Sequence, residues 1–125
     1  MSDVKRAAFQ SSEGSFGSQC IRTDRDNEYF AFLRVTQKLK NASKSDNRYA
    51  MIEAASESNQ LWTIIAADLA HEENGLPLAT KAGLLSLAIY SLKQGRRVIS
   101  ECASVEPLIE INVMIMRGLR GDVHP

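Results

Sequence analysis

The sequence predicts an all-α protein, a compact bundle of about four helices preceded by a flexible N-terminal segment. Three observations lead to this prediction. Apolar residues recur with helical spacing through four stretches, no stretch shows the apolar and polar alternation of a β-strand, and the connections between stretches are short. A chain of 125 residues has the size of one domain with a single core. We expect a flexible, serine-rich segment over 1–22, one helical domain over 23–121 and a short tail over 122–125.

The first helix is predicted over 24–42. Thr23 and Asp26 have the spacing of a capping box, with Asp in place of the usual Glu or Gln. The positions that repeat with helical spacing, and therefore predict the buried face, are Tyr29, Phe32, Leu33, Thr36 and Leu39. The polar run NASKSDN ends this pattern, and Asp46 or a nearby serine is expected to cap the next helix.

The second and third helices are predicted over 47–70 and 78–102. The second places on one side Met51, Ala55, Trp62, Ile65 and Leu69. We expect a left-handed Gly75 to stop it and Pro77 to lie in the first turn of the third helix. The third helix has an apolar face wider than one stripe, formed by Leu84, Leu85, Leu87, Ala88, Ile89 and Leu92.

The fourth helix is capped by Ser104 and ended by Gly118 or Gly121 in this prediction. Its residues 108–119 read LIEINVMIMRGL, and eight of these twelve are large and apolar. They form two neighbouring rows: Leu108, Ile111 and Ile115 in one, and Ile109, Val113 and Met116 in the other. Two rows predict either a central core helix or a helix with a second, partner-facing side. Asn112 lies among them and is expected either to bond a backbone group or to bond a partner.

Charge and cysteine content limit the class of protein. Fifteen basic and fifteen acidic residues cancel, so no net field attracts DNA or an anionic membrane. Cys20 and Cys102 have no framework spacing, which favours a reducing compartment. The sequence shows neither a secretory signal nor a membrane span, and we expect a cytoplasmic protein.

No motif predicts an enzyme, a metal site or a cofactor. His71, Glu72 and Glu73 are adjacent rather than spaced as zinc ligands on a helix, and they predict a charged helix end. Direct RNA binding is an alternative. A basic edge on the first helix would contact phosphates, with Tyr29 or Phe30 stacking on an unpaired base. This edge comprises Arg34, Lys38, Lys40, Lys44 and Arg48.

Several ordered motifs between residues 28 and 119 resemble the FlaF family of flagellar biosynthesis regulators. The most specific are EPLIEIN at 106–112 and IMRGL at 115–119. Supporting matches are Glu28-Tyr29, Leu33, Val35-Thr36, Asn59, Trp62, Asp68-Leu69, Asn74, Leu76-Pro77 and Ser86-Leu87-Ala88. The resemblance implies a helical cytoplasmic protein that promotes flagellin synthesis and secretion alongside FlbT, a repressor of flagellin translation. It also implies a flagellin-binding export factor or chaperone.

The resulting hypothesis is a groove walled by helices three and four that holds the amphipathic termini of flagellin. Its candidate contacts are Leu85, Ile89, Leu92, Ile109, Asn112, Val113 and Met116. The candidate core residues are Tyr29, Leu33, Trp62, Leu69, Pro77, Leu108, Ile111 and Ile115. Substitution of Leu108 or Ile111 is then expected to unfold the domain. Val113→Asp or Met116→Asp is expected to leave it folded and to abolish flagellin binding. The alternatives are a regulator that contacts flagellin mRNA through the basic edge and a subunit that acts only by binding FlbT.

Overall fold

A computed structural model describes residues 24–120, and these residues form four α-helices, which confirms the predicted fold class. The helices are α1 (Asp24–Ser45), α2 (Arg48–Ala70), α3 (Leu78–Glu101) and α4 (Glu106–Arg120). The predicted segment 1–22 and tail 122–125 lie outside the described residues, as do Thr23 and Gly121.

The turn between α1 and α2 shows why α1 continues three residues beyond its predicted end. The hydroxyl of Ser45 donates to the carbonyl oxygen of Ala42 at 2.8 Å, so the serine stays within the helix. Asp46 then adopts a left-handed φ of 55°. The cap of α2 is Asn47, not Asp46 or a serine as predicted. Its Oδ1 accepts from the backbone N–H groups of Tyr49 and Ala50 at 2.9 and 3.2 Å.

The end of α2 is set by a polar turn and not by Gly75. The helix stops at Ala70, and the amide of Asn74 donates to a carboxylate oxygen of Asp68 at 3.2 Å. The Asn74 side-chain oxygen in turn accepts from the backbone N–H of Leu76 at 3.1 Å. Gly75 does not have the left-handed φ that we predicted, because this asparagine already directs the chain into α3.

The connection from α3 to α4 uses a left-handed cysteine. Cys102 has a φ of 61°, and the N–H of Ala103 donates back to the carbonyl of Arg97 at 3.2 Å. Val105 directly precedes α4, and the predicted cap, Ser104, lies one residue earlier, where its hydroxyl accepts from the N–H of Glu106 at 3.0 Å. Gly118 lies inside α4, which continues to Arg120.

The side chain of Arg48 joins the start of α2 to the end of α3. Its Nη1 donates to the carbonyl of Val98 at 2.6 Å, and its Nη2 donates to the carbonyl of Ile99 at 2.8 Å. These carbonyls belong to the last four of α3, which have no partner within the helix. The guanidinium therefore caps α3 from a neighbouring helix.

We expect Arg48→Met to destabilise the domain by about 1.5–3 kcal/mol, because two charge-assisted hydrogen bonds to half-buried carbonyls are lost. Urea unfolding followed by circular dichroism measures the change. Arg48→Lys keeps the charge but not the two-pronged geometry, so it should recover only part of the loss. Full stability of the Met variant would show that these bonds contribute nothing.

The contact of α2 with α3 includes a close approach at Gly95. A Cβ atom built on this buried glycine would overlap Oδ1 of Asn59. The amide of Asn59 also donates to the carbonyl of Leu92 at 3.4 Å, which holds the side chain against α3. Glycine in a helix interior costs about 1 kcal/mol relative to alanine, and the lack of a side chain here allows the asparagine to fit.

We expect Gly95→Ala to destabilise the domain by up to about 2 kcal/mol, because displacing the Asn59 side chain costs about 1–3 kcal/mol and the gain in helix propensity returns about 1 kcal/mol. Thermal unfolding measures the effect. Adding Asn59→Ala to the same chain removes the obstacle and should return part of the lost stability. If the double variant is no more stable than Gly95→Ala alone, the conflict does not involve Asn59.

The core is organised by two helix pairs. The most extensive contact is between α2 and α3, the next is between α1 and α4, and α1 also packs on α2. The contact of α3 with α4 is smaller. At the centre the rings of Phe32 and Trp62 meet edge to face, with centroids 5.4 Å apart. The other buried apolar residues are Val35, Leu39, Ala42, Ala54, Ala55, Leu61, Leu69, Ala88, Val98, Val105, Leu108, Ile109, Ile111 and Met116.

Candidate partner-binding surface

Both apolar rows of α4 face the interior of the domain. Leu108 and Ile111 of the first row are buried, and so are Ile109 and Met116 of the second. The two remaining members, Ile115 and Val113, are half-buried and pack against the core. Because α4 packs against both α1 and α3, two neighbouring helices are available to cover its two apolar rows. Of the two options that the sequence left open, a core helix is the one that the structure describes.

Asn112 is held inside the core by a tryptophan. Its side chain is completely buried, and Oδ1 accepts a hydrogen bond from the indole Nε1–H of Trp62 at 3.0 Å. The prediction offered a backbone group or a partner protein, and the actual partner is a side chain of α2. The Asn112 amide nitrogen has no hydrogen-bond partner among the described residues. Asn112 therefore fixes the position of α4 relative to α2.

The predicted groove consequently has no wall on α4. Ile109, Asn112 and Met116 were predicted partner contacts but lie in the interior. The predicted core residues are placed as follows: Trp62, Leu69, Leu108 and Ile111 are buried, whereas Tyr29, Leu33 and Ile115 are half-buried against the core. Pro77 is a clear exception, because it is exposed. It is the residue directly before α3, at the surface, and it does not pack in the core.

An apolar row does remain open to solvent, and it lies on α3. Its members are Leu78, Ala82, Leu85, Ile89 and Leu92, and we call it the α3 row. Leu78 is 81% exposed and Ile89 is 54% exposed. Ala82 is exposed, Leu85 is half-buried, and Leu92 is half-buried where it packs against the core. The opposite side of α3 is buried in the bundle through Ala88, Ser91, Gln94, Gly95 and Val98.

The spacing within the α3 row is four, three, four and three residues. This alternation is the heptad spacing by which one helix packs along another. The row exposes one leucine and one isoleucine, Leu78 and Ile89, and apolar side chains gathered on one helix face are typical of an interaction surface. Three predicted contacts, Leu85, Ile89 and Leu92, lie in it. Sequence reasoning missed Leu78 and Ala82, although the heptad spacing connects them to the other three.

The basic edge predicted on α1 is partly neutralised. The ammonium group of Lys38 forms ion pairs with Glu57 and, at 3.4 Å, with Glu53 of α2. The hydrogen bond to Glu57 is the largest cause that raises the pKa of Lys38 above its ordinary value of 10.5. The resulting stabilisation is present at neutral pH and is lost as the pH rises through the raised pKa. Since Arg48 is occupied in capping α3, the exposed cations left on this edge are Arg34, Lys40 and Lys44.

An apolar pocket of about 270 Å³ lies at the end of the bundle where α2 turns into α3. All four helices contribute to it, and its polar members are Glu28, Asp68 and Asn74. The apolar lining is Phe32, Trp62, Ile65, Leu69, Leu76, Leu84, Ile115 and Leu119. A pocket of this size and composition can receive a large apolar side chain.

Three further findings concern residues 24–120. None of their four helices is both long and apolar enough to cross a membrane. Within the same residues, no three side chains of His, Cys, Asp or Glu are grouped so that they could hold a metal ion. Cys102 is exposed and is not in a disulfide.

The fold and the α3 row define a small four-helix domain that presents an apolar helix face to solvent. Residues 15–119 match the family described as flagellar protein FlaF, and the chain therefore belongs to the FlaF family. The match confirms the resemblance seen in the sequence and begins earlier, inside the predicted N-terminal segment. Comparisons with curated proteins and with solved structures found no significant match.

Proposed function

We propose that this FlaF-family protein binds flagellin in the cytoplasm and promotes its synthesis and secretion, acting alongside FlbT. Membership of a family of flagellar proteins supports a role in building the flagellum. The observation that carries the proposal is the α3 row, because α3 buries one side in the bundle and still presents leucine and isoleucine to solvent on another.

The α3 row suits a helical partner. Flagellin termini are amphipathic and unfolded before export, so they need an apolar surface that covers their own apolar face. Leu78 to Leu92 spans about 21 Å, or about four helical turns. Covering a leucine or isoleucine side chain fully contributes about 1.5–3 kcal/mol. Since the exposed row already has helical form, only the partner has to become ordered on binding.

Titration calorimetry of the purified full chain with monomeric flagellin tests the proposal. We expect saturable binding, with Ile89→Asp weakening it at least about 30-fold, the equivalent of about 2 kcal/mol. Tyr49→Asp is the matched control. Tyr49 also has a large side chain and is 84% exposed. It lies in the first turn of α2 and is not part of the α3 row. Its neighbour Arg48 contacts the C-terminal end of α3, beyond that row. Absence of heat and of co-elution at concentrations on the order of tens of micromolar would reject the proposal.

A single capture experiment separates this function from its alternatives. Immobilised protein is offered flagellin, FlbT and flagellin leader RNA together. Retention of flagellin that is lost in Ile89→Asp supports the proposal. Retention of FlbT alone indicates a subunit of a regulatory complex. Retention of RNA that is lost in Arg34→Glu with Lys40→Glu indicates the RNA-binding alternative, for which fewer unpaired cations remain than the sequence predicted.

A further inference from the structure

The charges on α3 are all of one sign along the length of the α3 row. Between residues 78 and 100 the helix carries four basic residues and no aspartate or glutamate. Arg97 pairs with Glu101 at 3.3 Å. The other three, Lys81, Lys93 and Arg96, form no ion pair with any residue of the described part of the chain.

Helix geometry places these cations beside the α3 row. At about 100° per residue, Lys81 lies about 60° to one side of the row and Lys93 about 60° to the other. These are the positions that flank the apolar seam between two paired helices and that choose the partner by charge. Arg96 follows Leu92 by four residues, so it continues the α3 row itself. A helix seated on the row would therefore meet positive charge on both sides and at one end.

We propose, resting on the proposed function, that the α3 row binds an amphipathic helix whose apolar seam is flanked by aspartate and glutamate. The heptad spacing selects the helical form of the partner, and the three cations select its charge. A second copy of this chain fits poorly, because pairing two α3 rows would bring the same cations together. The partner segment is about 15 residues long if it covers the row from Leu78 to Leu92.

Two designed peptides test the charge of the partner directly. Both carry the same leucine and isoleucine heptads over about 21 residues, and their flanking positions are glutamate in one and lysine in the other. Fluorescence anisotropy with the full chain measures their affinities at about 0.05 M and 0.5 M salt. We expect the acidic peptide to bind at least about fivefold more tightly at low salt, with the difference shrinking at high salt.

Charge-reversal variants locate the effect on α3. Lys81→Glu with Lys93→Glu should reverse the preference between the two peptides. Lys40→Glu with Lys44→Glu, which changes the same number of lysines on α1, should leave it unchanged. Equal binding of the two peptides, or a preference that survives reversal on α3, would overturn the inference. So would a dimer that light scattering detects in the wild type and that Ile89→Asp dissociates, because the α3 row would then belong to a second copy.

Failure of this inference is distinguishable from failure of the proposed function. If flagellin binds and the two peptides bind with equal affinity, the protein binds flagellin without selecting the charge of its partner at the α3 row. If the acidic peptide binds preferentially and flagellin does not bind, the surface is correct and its natural partner is another acidic helix.

Discussion

Met116→Asp is expected to destabilise the domain severely. Met116 is only 8% exposed and belongs to the core, so the new carboxylate would be placed among apolar side chains. Such a change costs more than about 4 kcal/mol, a large part of the 5–15 kcal/mol by which domains of this size are stable. Thermal unfolding followed by circular dichroism should show a melting temperature lowered by more than about 15 °C. This expectation replaces the sequence-based one, in which Met116→Asp spared the fold.

Met114→Asp is the matched control for this experiment. It changes the same residue type to the same carboxylate two positions earlier on α4, where the side chain is 50% exposed. Substitutions at such surface positions change stability by no more than about 0.5 kcal/mol. Two variants of equal stability would contradict the orientation of α4 described above. A stable Met116→Asp that no longer binds flagellin would restore the predicted groove on α4.

Trp62 and Asn112, which share a buried hydrogen bond, are expected to be coupled in their effect on stability. Asn112→Leu leaves the buried indole N–H without its acceptor and should cost about 1–3 kcal/mol. Trp62→Phe leaves the asparagine oxygen without its donor and removes part of the ring that packs on Phe32. It should cost at least as much, about 2–4 kcal/mol.

A double-mutant cycle by urea unfolding tests this coupling. Combining Trp62→Phe with Asn112→Leu removes donor and acceptor together, so no buried polar group is left from the pair. We expect the double variant to be more stable than the sum of the single losses predicts, by about 1–2 kcal/mol. Simple additivity of the two losses would mean that the bond does not link α2 to α4.

The fold was predictable from the sequence to within a few residues at each helix end. Periodicity identified all four helices, because each buries a face and the spacing of that face is local information. The helix ends were harder to predict wherever two neighbouring residues could each have ended or capped the helix. Asn47 rather than Asp46 caps α2, and Asn74 rather than Gly75 directs the chain into α3. These choices depend on which side chain reaches which backbone group.

The candidate surface was only half predictable, for a different reason. Periodicity shows that α4 has two apolar rows and that α3 has a wide apolar face, but it does not show which helices are neighbours. The smaller contact between α3 and α4 and the larger one between α1 and α4 follow from long-range packing. Leu85, Ile89 and Leu92 were found by composition, whereas Ile109 and Met116 were assigned to a surface that other helices cover. Apart from the heptad spacing, nothing in the sequence around Leu78 indicates that this side chain is exposed.

The burial of both rows of α4 separates the residues that identify the family from the residues proposed to bind a partner. Residues 106–119 carry the most specific family motifs, and their buried side chains pack in the core, on a helix that lies against α1 and α3. The residues of the α3 row are not fixed by core packing in this way, so their identity depends on solubility and on the proposed partner. When relatives diverge together with their partners, we therefore expect substitutions to accumulate at Leu78, Leu85 and Ile89 while the EPLIEIN motif persists. Exchanging the α3 rows of two relatives should then exchange their partner preference on an unchanged scaffold.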